Sequence, residues 1–257
     1  MHPTSVLGQI LSRKKINLTR RQISAYRKKW QMIRRADQTP PADNFWDIWI
    51  YAAGRGAGKT RVGAEETVAF AEANPGTRLL LVAPNFSHLR ETMIEGESGI
   101  FSVYEKSGRE DEAPEYKPSV RRLTWPNGSQ ALLMTADEPD SLRGPQAHFA
   151  WVDEAASFAV PEESTGKLSA LDNIRLCTRL GYSPRIVITT TPRKTEALKQ
   201  LHTWLVHDPV GIRLTDAVYT TDNEDNLARA YLDGIQHVYG NAEETDAEIY
   251  GEWPWRL

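Results

Sequence analysis

Continuous apolar runs of strand length alternate with helix-forming segments along most of the chain. The runs that predict strands cover residues 45–53, 78–84, 147–155, 185–192 and 210–215. The segments that predict helices cover residues 58–75, 86–106, 168–181 and 194–206, with two short helices after residue 225. A strand covered on both faces needs no polar alternation, so such runs are typical of a parallel sheet between helices. The alternation therefore predicts a three-layer α/β fold.

Residues 120–136 depart from this order and predict a β-hairpin. Two strand-like runs flank Asn127 and Gly128. Asn-Gly between two such runs is the strongest short-range signal for a tight turn, because both residues tolerate a positive φ. We therefore expect one antiparallel pair beside the parallel strands.

Composition limits the class of protein. A length of 257 residues suits one large domain, with or without a small appendage. The single cysteine, Cys177, has no partner for an internal disulfide, which favours a reducing compartment. No apolar run approaches the ~20 residues of a membrane helix, and the N-terminus lacks the apolar core of a secretory signal. The sequence predicts a cytoplasmic protein with no membrane partner.

Charge is distributed unevenly along the chain. Of the 31 Lys and Arg residues, ten lie in residues 1–35, where there is no acidic residue. All 34 acidic residues lie in the remainder. A basic arm on an acidic body favours contact with a polyanion, nucleic acid first. A solvated helix docked on its own acidic domain and an organelle-targeting peptide remain alternatives.

The stretch "WIYAAGRGAGKTRVGAE", residues 49–65, joins a predicted strand to a predicted helix through a glycine loop. The general phosphate-loop pattern requires Gly at position 53, where this chain has Ala53. A dinucleotide fingerprint is excluded, because its third glycine would fall on Lys59. Backbone amides and the Lys59 ammonium suit nucleotide phosphates, and the Thr60 hydroxyl suits Mg²⁺. The alternative is a glycine-rich structural turn.

Two acidic residues end the predicted strand in "FAWVDE". Asp153 follows four apolar residues, and Glu154 follows Asp153. In phosphate-loop enzymes an acid at this place holds Mg²⁺, and a second carboxylate can activate the water that attacks the γ-phosphate. The second acid favours a hydrolase over a kinase. The alternative is surface charge at the end of a strand.

Two further stretches carry candidate chemistry. Arg143 lies in "SLRGP", just before the strand that ends in the two acids, and could stabilise charge on a transferring phosphoryl group. Thr189, Thr190 and Thr191 end the next strand and could sense the γ-phosphate or its water. The alternatives are a surface arginine in a turn and ordinary β-branched strand residues.

Taken in order, these stretches resemble a known family. The quoted features are Trp30, Arg35, Gln38, Pro40 and Pro41, then "W-x-x-W-x4-G-R-G-x-G-K-T-R-x-G-A-E", "DSLRG", "WVDEAA", "TTTPR" and "NLA…YG…E-x-YGEW". Together they are similar to the ATPase half of the large terminase subunit of tailed double-stranded DNA phages. The similarity runs over roughly residues 30–253, nearly the whole chain.

The resemblance implies a fold and a function. The implied fold is a P-loop NTPase of the additional-strand (RecA-like) type, with a mainly parallel central sheet flanked by helices. The implied domains are a basic, mainly helical arm over residues 1–44, an ATPase core over 45–215 and a helical lid over 216–257. The implied function is an ATP- and Mg²⁺-dependent motor, working as a homo-oligomeric ring on the portal protein. With the small terminase subunit, it would drive double-stranded DNA into a procapsid in the host cytoplasm.

The resemblance also implies roles for individual residues. Glu154 matches the catalytic glutamate, Arg143 the trans-acting arginine finger, and Thr189 to Thr191 the coupling motif. The loop residues implied to bind nucleotide are Gly54, Arg55, Gly56, Ala57, Gly58, Lys59 and Thr60, with Arg55 and Lys59 contacting phosphate during catalysis. Arg35 and Gln38 match the adenine-recognition segment.

One departure concerns the end of the sequence. Large terminases continue into a nuclease domain whose carboxylates bind two metals, and no spaced acidic set in residues 216–257 has that pattern. We expect this chain to hydrolyse ATP and not to cut DNA. The alternatives are a helicase-like translocase, a P-loop kinase and a nucleotide-binding regulatory module. A two-lobed helicase would need a second RecA-like domain, for which the chain has no room.

Overall fold

A computed structural model describes residues 29–43, 45–239 and 244–256. Most of the predicted basic arm, residues 1–28, lies outside the described residues. The strands are β1 (Ile48–Ala53), β2 (Arg78–Ala83), β3 (Glu115–Lys117), β4 (Arg122–Thr124), β5 (Gln130–Thr135), β6 (Phe149–Asp153), β7 (Arg185–Thr190) and β8 (Ile212–Val218). The α-helices are α1 (Trp30–Ile33), α2 (Lys59–Ala73), α3 (Phe86–His88), α4 (Ile100–Ser107), α5 (Ala170–Cys177), α6 (Glu196–His207), α7 (Arg229–Tyr239) and α8 (Thr245–Glu248).

The eight strands form one sheet in the order β3-β4-β5-β2-β6-β7-β1-β8. β4 pairs antiparallel with β3 and β5, and every other neighbouring pair is parallel. β7 lies between β1, which leads into the glycine loop, and β6, which ends in Asp153. This inserted strand defines the additional-strand type of P-loop fold, so the predicted fold class is confirmed.

The core lies in two layers, one on each face of the sheet. Trp49, Tyr51 and Trp151 belong to one layer, which includes the buried side of α2. Ile50 and Val152 belong to the other layer, which α5 and α6 cover. Every residue of β1 and of β6 is buried, as the continuous apolar runs predict.

The hairpin prediction is confirmed, and the antiparallel edge of the sheet has one more strand than the sequence predicts. β4 and β5 pair antiparallel, and Gly128 takes a φ of +85° in the turn. β3 adds a third antiparallel strand that the sequence pattern did not predict. Its three residues alternate exposed and half-buried, so they form no apolar run.

Several element boundaries differ from the sequence predictions. The predicted helix over residues 86–106 is divided into α3, a π-helical turn at Leu89–Ile94, and α4. The helix predicted to close at Gly181 ends at Cys177, because the amides of Arg179 and Leu180 both bond to the carbonyl of Ala147. The strand predicted over residues 45–53 begins at Ile48, and the last strand extends to Val218.

The C-terminal segment folds back onto the glycine loop. After β8 a 3₁₀ helix at Thr220–Asn226 leads to α7 and α8. Gly251 has a φ of +60°, and a Cβ there would lie 2.6 Å from the amide nitrogen of Gly54. The boundary predicted at residue 216 falls within β8. In the described residues, no helix is long and apolar enough to cross a membrane.

Candidate nucleotide-binding site

The glycine loop begins where β1 ends and leads directly into α2. β1 ends at Ala53, which is fully buried, and α2 begins at Lys59. Gly56 and Gly58 have φ values of +75° and +95°, which residues with a side chain rarely adopt. A Cβ on Gly58 would also lie 2.8 Å from Nε2 of Gln38. The alanine at position 53 therefore belongs to the strand, and the loop proper starts at Gly54.

Lys59 is held inside the loop. Its Nζ donates to the carbonyls of Ala53 at 3.1 Å and Gly54 at 3.0 Å. Burial lowers the pKa of this ammonium, and the nearby carboxylates of Glu154 and Asp153 act in the opposite direction. The structure thus brings the lysine and the two predicted acids to one site. A desolvated ammonium here is strongly attracted to anionic oxygens.

Asp153, the last residue of β6, is fixed by hydrogen bonds from two other segments. Thr189 Oγ1 donates to its Oδ1 at 2.6 Å, and His88 Nε2 lies 2.9 Å from its Oδ2. This hydrogen bond to Asp153 raises the pKa of His88 despite partial burial. Asp153 is 2% exposed, so water screens its charge little.

Glu154 has a backbone conformation that is unusual for a residue with a side chain. Its φ is +54°, in the left-handed region, and its amide donates to the carbonyl of Thr189 at 2.7 Å. Such strain is found preferentially at functional sites. The side chain is half-buried, and Arg193 Nη2 donates to its Oε1 at 2.9 Å.

The donor set fits a magnesium ion. Thr60 supplies a hydroxyl in the first turn of α2, and Asp153 a buried carboxylate. Within the described residues, no arginine or lysine side chain lies within ion-pairing distance of Asp153; the basic side chain at that distance is His88, which is charged only when protonated. Mg²⁺ prefers oxygen ligands and takes one or two from the protein, the rest coming from phosphate and water. Thr60 and Asp153 match that demand.

Arg55 is bound by the C-terminal segment. Its Nε donates to Oε2 of Glu248 at 3.1 Å, and its amide donates to the carbonyl of the same residue at 2.7 Å. The side chain is 54% exposed, and its guanidinium lies 6.0 Å from the ring centre of Tyr239. The predicted phosphate ligand therefore stands at the edge of the loop with a carboxylate partner.

A cleft of about 1220 Å³ opens beside the loop and contains both predicted adenine-recognition residues, Arg35 and Gln38. The Arg35 guanidinium is almost fully buried, donating to the carbonyl of Ala57 at 2.7 Å and pairing with Asp37 at 2.9 Å. Its Nη1 also donates to Oδ1 of Asn223 at 3.3 Å. Gln38 Oε1 accepts from the Arg35 amide at 3.1 Å. Arg35 thus lines the cleft and holds the loop through the carbonyl of Ala57.

The remaining predicted residues lie at different distances from this centre. Thr190 Oγ1 accepts from the amide of Ala156, and Thr191 is buried just beyond β7. Arg143 is 54% exposed, pairs with Asp140 at 3.3 Å, and does not belong to the cleft lining. The structure of a single chain therefore brings Lys59 and the two acids together and leaves Arg143 on the surface.

Family comparison agrees with this geometry. A sequence model of the terminase large subunit, T4likevirus-type, N-terminal, matches residues 50–256. The chain belongs to this family. The matched stretch includes the glycine loop, both acids and Glu248. A comparison with curated proteins gave no match.

Solved large terminases share the fold. The large terminase from a thermophilic bacteriophage, in complex with ADP, has a TM-score of 0.64 at 16% identity, over 92% of this chain and 54% of that chain. The HK97 bacteriophage large terminase has a TM-score of 0.58 at 16% identity, over 93% and 51%. The large terminase ATPase domain of Thermus phage P74-26 has a TM-score of 0.54 at 17% identity, over 97% and 99%.

These comparisons also show the extent of the match. This chain spans about half the length of the ADP-bound terminase and of the HK97 protein, and it corresponds to nearly all of the P74-26 ATPase domain. At such low identity, the likeness to the solved terminases shows the fold. The family membership rests on the sequence match.

The terminase-type site contains four residues to which the sequence analysis assigned no role. Arg193 and Glu248 lie inside the stretches "TTTPR" and "E-x-YGEW", so the signal was present and its meaning was missed. His88 and Asn223 had no sequence signal. His88 follows β2 and reaches Asp153, and Asn223 Nδ2 donates to the carbonyl of Gly56 at 2.7 Å. Both contacts join segments distant in sequence.

Proposed function

We propose that this chain is the ATP-hydrolysing motor of viral genome packaging, which moves double-stranded DNA through a portal into a procapsid. The observation that carries the proposal is the meeting of Lys59, Asp153 and Glu154 at the carboxyl ends of two strands separated by β7. Membership of the terminase family supports it, and the ADP complex of the thermophilic phage relative supports a nucleotide ligand. Ligands of parallel sheets bind at this edge.

ATP would bind with its phosphates in the glycine loop. The loop amides and the N-terminal end of α2 face the phosphates, and Lys59 exchanges its two carbonyl partners for phosphate oxygens. Arg55, at the rim of the loop, adds a second cation. Thr60 and Asp153 would hold Mg²⁺, which neutralises charge on the phosphate oxygens. The cleft lined by Arg35 and Gln38 would take the adenosine.

Glu154 would orient and deprotonate the water that attacks the γ-phosphate. A carboxylate does this best when it accepts the water proton directly. In the structure its Oε1 accepts from Arg193, which leaves Oε2 for the water or requires Arg193 to withdraw. The hydrogen bond of Thr189 to Asp153 links the metal site to β7, in agreement with a coupling role for the segment Thr189 to Thr191.

The proposed assembly is a homo-oligomeric ring on the portal protein. Arg143 is exposed and outside its own chain's cleft, which suits a residue that completes a neighbour's site. The small terminase subunit, the portal and double-stranded DNA are the proposed partners, and the host cytoplasm the proposed location. Basic residues that touch DNA phosphates would make binding salt-dependent.

The deciding experiment measures ATP turnover with and without double-stranded DNA and the cognate portal. We expect hydrolysis that rises on assembly, and loss of turnover by orders of magnitude in Glu154→Gln with ATP binding retained. ATP binding without turnover under all conditions would instead indicate a regulatory module. Phosphoryl transfer to a small acceptor, with no response to DNA, would indicate a kinase.

A further inference from the structure

A buried carboxylate from the C-terminal segment lies between two arginines of the site. Glu248, the last residue of α8, is 4% exposed. Its Oε2 accepts from Arg55 Nε at 3.1 Å, and its Oε1 lies 3.9 Å from Arg193 Nε. Burying a carboxylate costs free energy unless the group is paired, and the two arginines offset that cost for Glu248.

The backbone of the same segment also holds the loop. The carbonyl of Glu248 accepts from the amide of Arg55 at 2.7 Å. Thr220 Oγ1 donates to the carbonyl of Arg55 at 2.8 Å. A Cβ on Gly54 would lie 2.6 Å from the carbonyl oxygen of Ile249, so the end of α8 and the loop touch through their backbones. A shift of α8 would therefore move Arg55.

Arg193 connects Glu248 to the proposed catalytic carboxylate. Its Nη2 donates to Glu154 Oε1 at 2.9 Å and to Ser157 Oγ at 3.0 Å. Its Nε is buried and has no hydrogen-bond partner among the described residues. A carboxylate oxygen, Glu248 Oε1, lies 3.9 Å from that atom. Arg193 therefore lies between two carboxylates: it is hydrogen-bonded to Glu154, and it is close to Glu248 but beyond hydrogen-bonding distance.

We propose that Glu248 is a positioning residue of the nucleotide site, which draws Arg193 away from Glu154 and so sets the reactivity of the proposed catalytic base. A small movement of α8 that closes the 3.9 Å gap would give Arg193 Nε its missing acceptor and weaken the bond from Nη2 to Glu154. Movement of the C-terminal segment would then control the reactivity of Glu154. This inference rests on the proposed function.

The substitution Glu248→Gln tests the idea, because it keeps the shape and removes the charge. Arg193 would then have Glu154 as its remaining carboxylate partner and would hold it more tightly. We expect kcat to fall at least tenfold while KM for ATP does not rise, since Lys59 and the loop amides still bind phosphate. Glu248→Asp keeps the charge at shorter reach and should recover part of kcat. Glu252→Gln, an exposed neighbour, serves as the matched control and should change kcat less than twofold.

A double-mutant cycle identifies the route of the effect. If Glu248 acts through Arg193, then Glu248→Gln in an Arg193→Gln background should change kcat by less than twofold. Equal effects of Glu248→Gln with and without Arg193, or a rise in KM with kcat unchanged, would overturn the proposal. Thermal unfolding of each variant identifies one that fails to fold. If Glu248→Gln fails to fold, Arg193→Gln alone carries the test: it frees Glu154 from Arg193, so kcat should not fall, and a tenfold fall would overturn the proposal.

The proposed function and this inference can fail separately. Absence of ATP turnover by the wild-type chain, assembled with portal and DNA, would refute the proposed function. The contact between Glu248 and Arg193 would then be tested by the same double-mutant cycle, with the free energy of unfolding measured in place of kcat. Non-additive stabilities would support the positioning contact, and additive stabilities would overturn it.

Discussion

Thr189 donates a 2.6 Å hydrogen bond to Asp153, and its hydroxyl oxygen in turn accepts from Trp151 Nε1 at 2.8 Å. One hydroxyl at the end of β7 thus satisfies a buried carboxylate and a buried indole of the neighbouring strand. All three residues are buried, so none of these groups has bulk water as an alternative partner.

Replacing Thr189 by Val should remove both bonds and keep the volume. A buried group left without a partner costs about 1–3 kcal/mol, so we expect a loss of about 2–4 kcal/mol in the free energy of unfolding. Thr189→Ser restores the hydroxyl and should recover most of the loss. Urea denaturation measures both variants. Equal stability of Val and Ser variants would contradict the bonding scheme.

The contact between Gly63 and Trp151 makes a second prediction. Gly63 lies on α2, and a Cβ there would overlap the indole ring of Trp151, which is fully buried and bonded to Thr189. We expect Gly63→Ala to destabilise the chain by about 3 kcal/mol or more, because neither the helix nor the ring can move freely.

Gly234 offers the matched control for that substitution. It lies on α7, where an added Cβ would have no atom within 4 Å, so Gly234→Ala should be neutral or stabilise by about 0.5–1 kcal/mol. Thermal and urea unfolding of the two variants give the comparison. Similar effects at both positions would refute the proposed packing constraint.

The carboxyl group of Glu66 makes stability depend on pH. Burial raises its pKa to about 7, partly offset by Arg34, whose Nη1 lies 3.9 Å away. Because the folded pKa exceeds the unfolded value, the folded chain binds the extra proton. Stability at this group therefore rises as pH falls from about 8 towards 4.5, the ordinary pKa of a glutamate carboxyl.

The substitution Glu66→Gln should remove this dependence. At pH 8 we expect it to stabilise the chain by up to about 3 kcal/mol, an advantage that shrinks as the pH is lowered through 7. Denaturant unfolding at pH 5.5 and pH 8 measures the change. Glu110→Gln, at an exposed glutamate, is the control and should leave the difference between the two pH values unaltered. A constant gap between wild type and Glu66→Gln would contradict a raised pKa.

The exposed position of Arg143 predicts complementation between subunits. If Arg143 completes a neighbour's site, Arg143→Ala subunits mixed with Glu154→Gln subunits should regain part of the ATPase rate that each lacks on its own. Lys59→Ala mixed with Glu154→Gln is the control. Both of those residues act within one chain's site, so that mixture should stay inactive. Failure of the first mixture to recover at every ratio would count against a trans role.

The sequence predicted those parts of the molecule whose signal is local. β1, β2, β6 and β7 are continuous apolar runs, and the loop from Gly54 to Thr60 carries its glycines and lysine in one stretch. β3 went unpredicted because it has no apolar run, and the π-helical turn at Leu89–Ile94 has helix-like composition. Both features depend on tertiary contacts, which a local sequence pattern does not record.

The residues of the site also divide into those with a local sequence signal and those brought in by tertiary contacts. Lys59, Asp153 and Glu154 lie within stretches whose spacing carries their chemistry, and the structure brings them together. The contact of His88 with Asp153 joins residues 65 positions apart, and that of Arg55 with Glu248 joins residues 193 apart. Pairings across such distances leave no periodic trace in a single sequence. The roles assigned to the site residues remain predictions; the substitutions above test those of Glu154, Arg143 and Lys59.

The insertion of β7 between β1 and β6 sets the width of the site. Neighbouring strands lie about 4.8 Å apart, so the carboxyl ends of β1 and β6 are separated by roughly 10 Å. With β1 and β6 adjacent, that separation would be half as wide. The inserted strand thus works as a spacer between the glycine loop and Asp153, and Thr189, near its end, bonds to Asp153 from within that space.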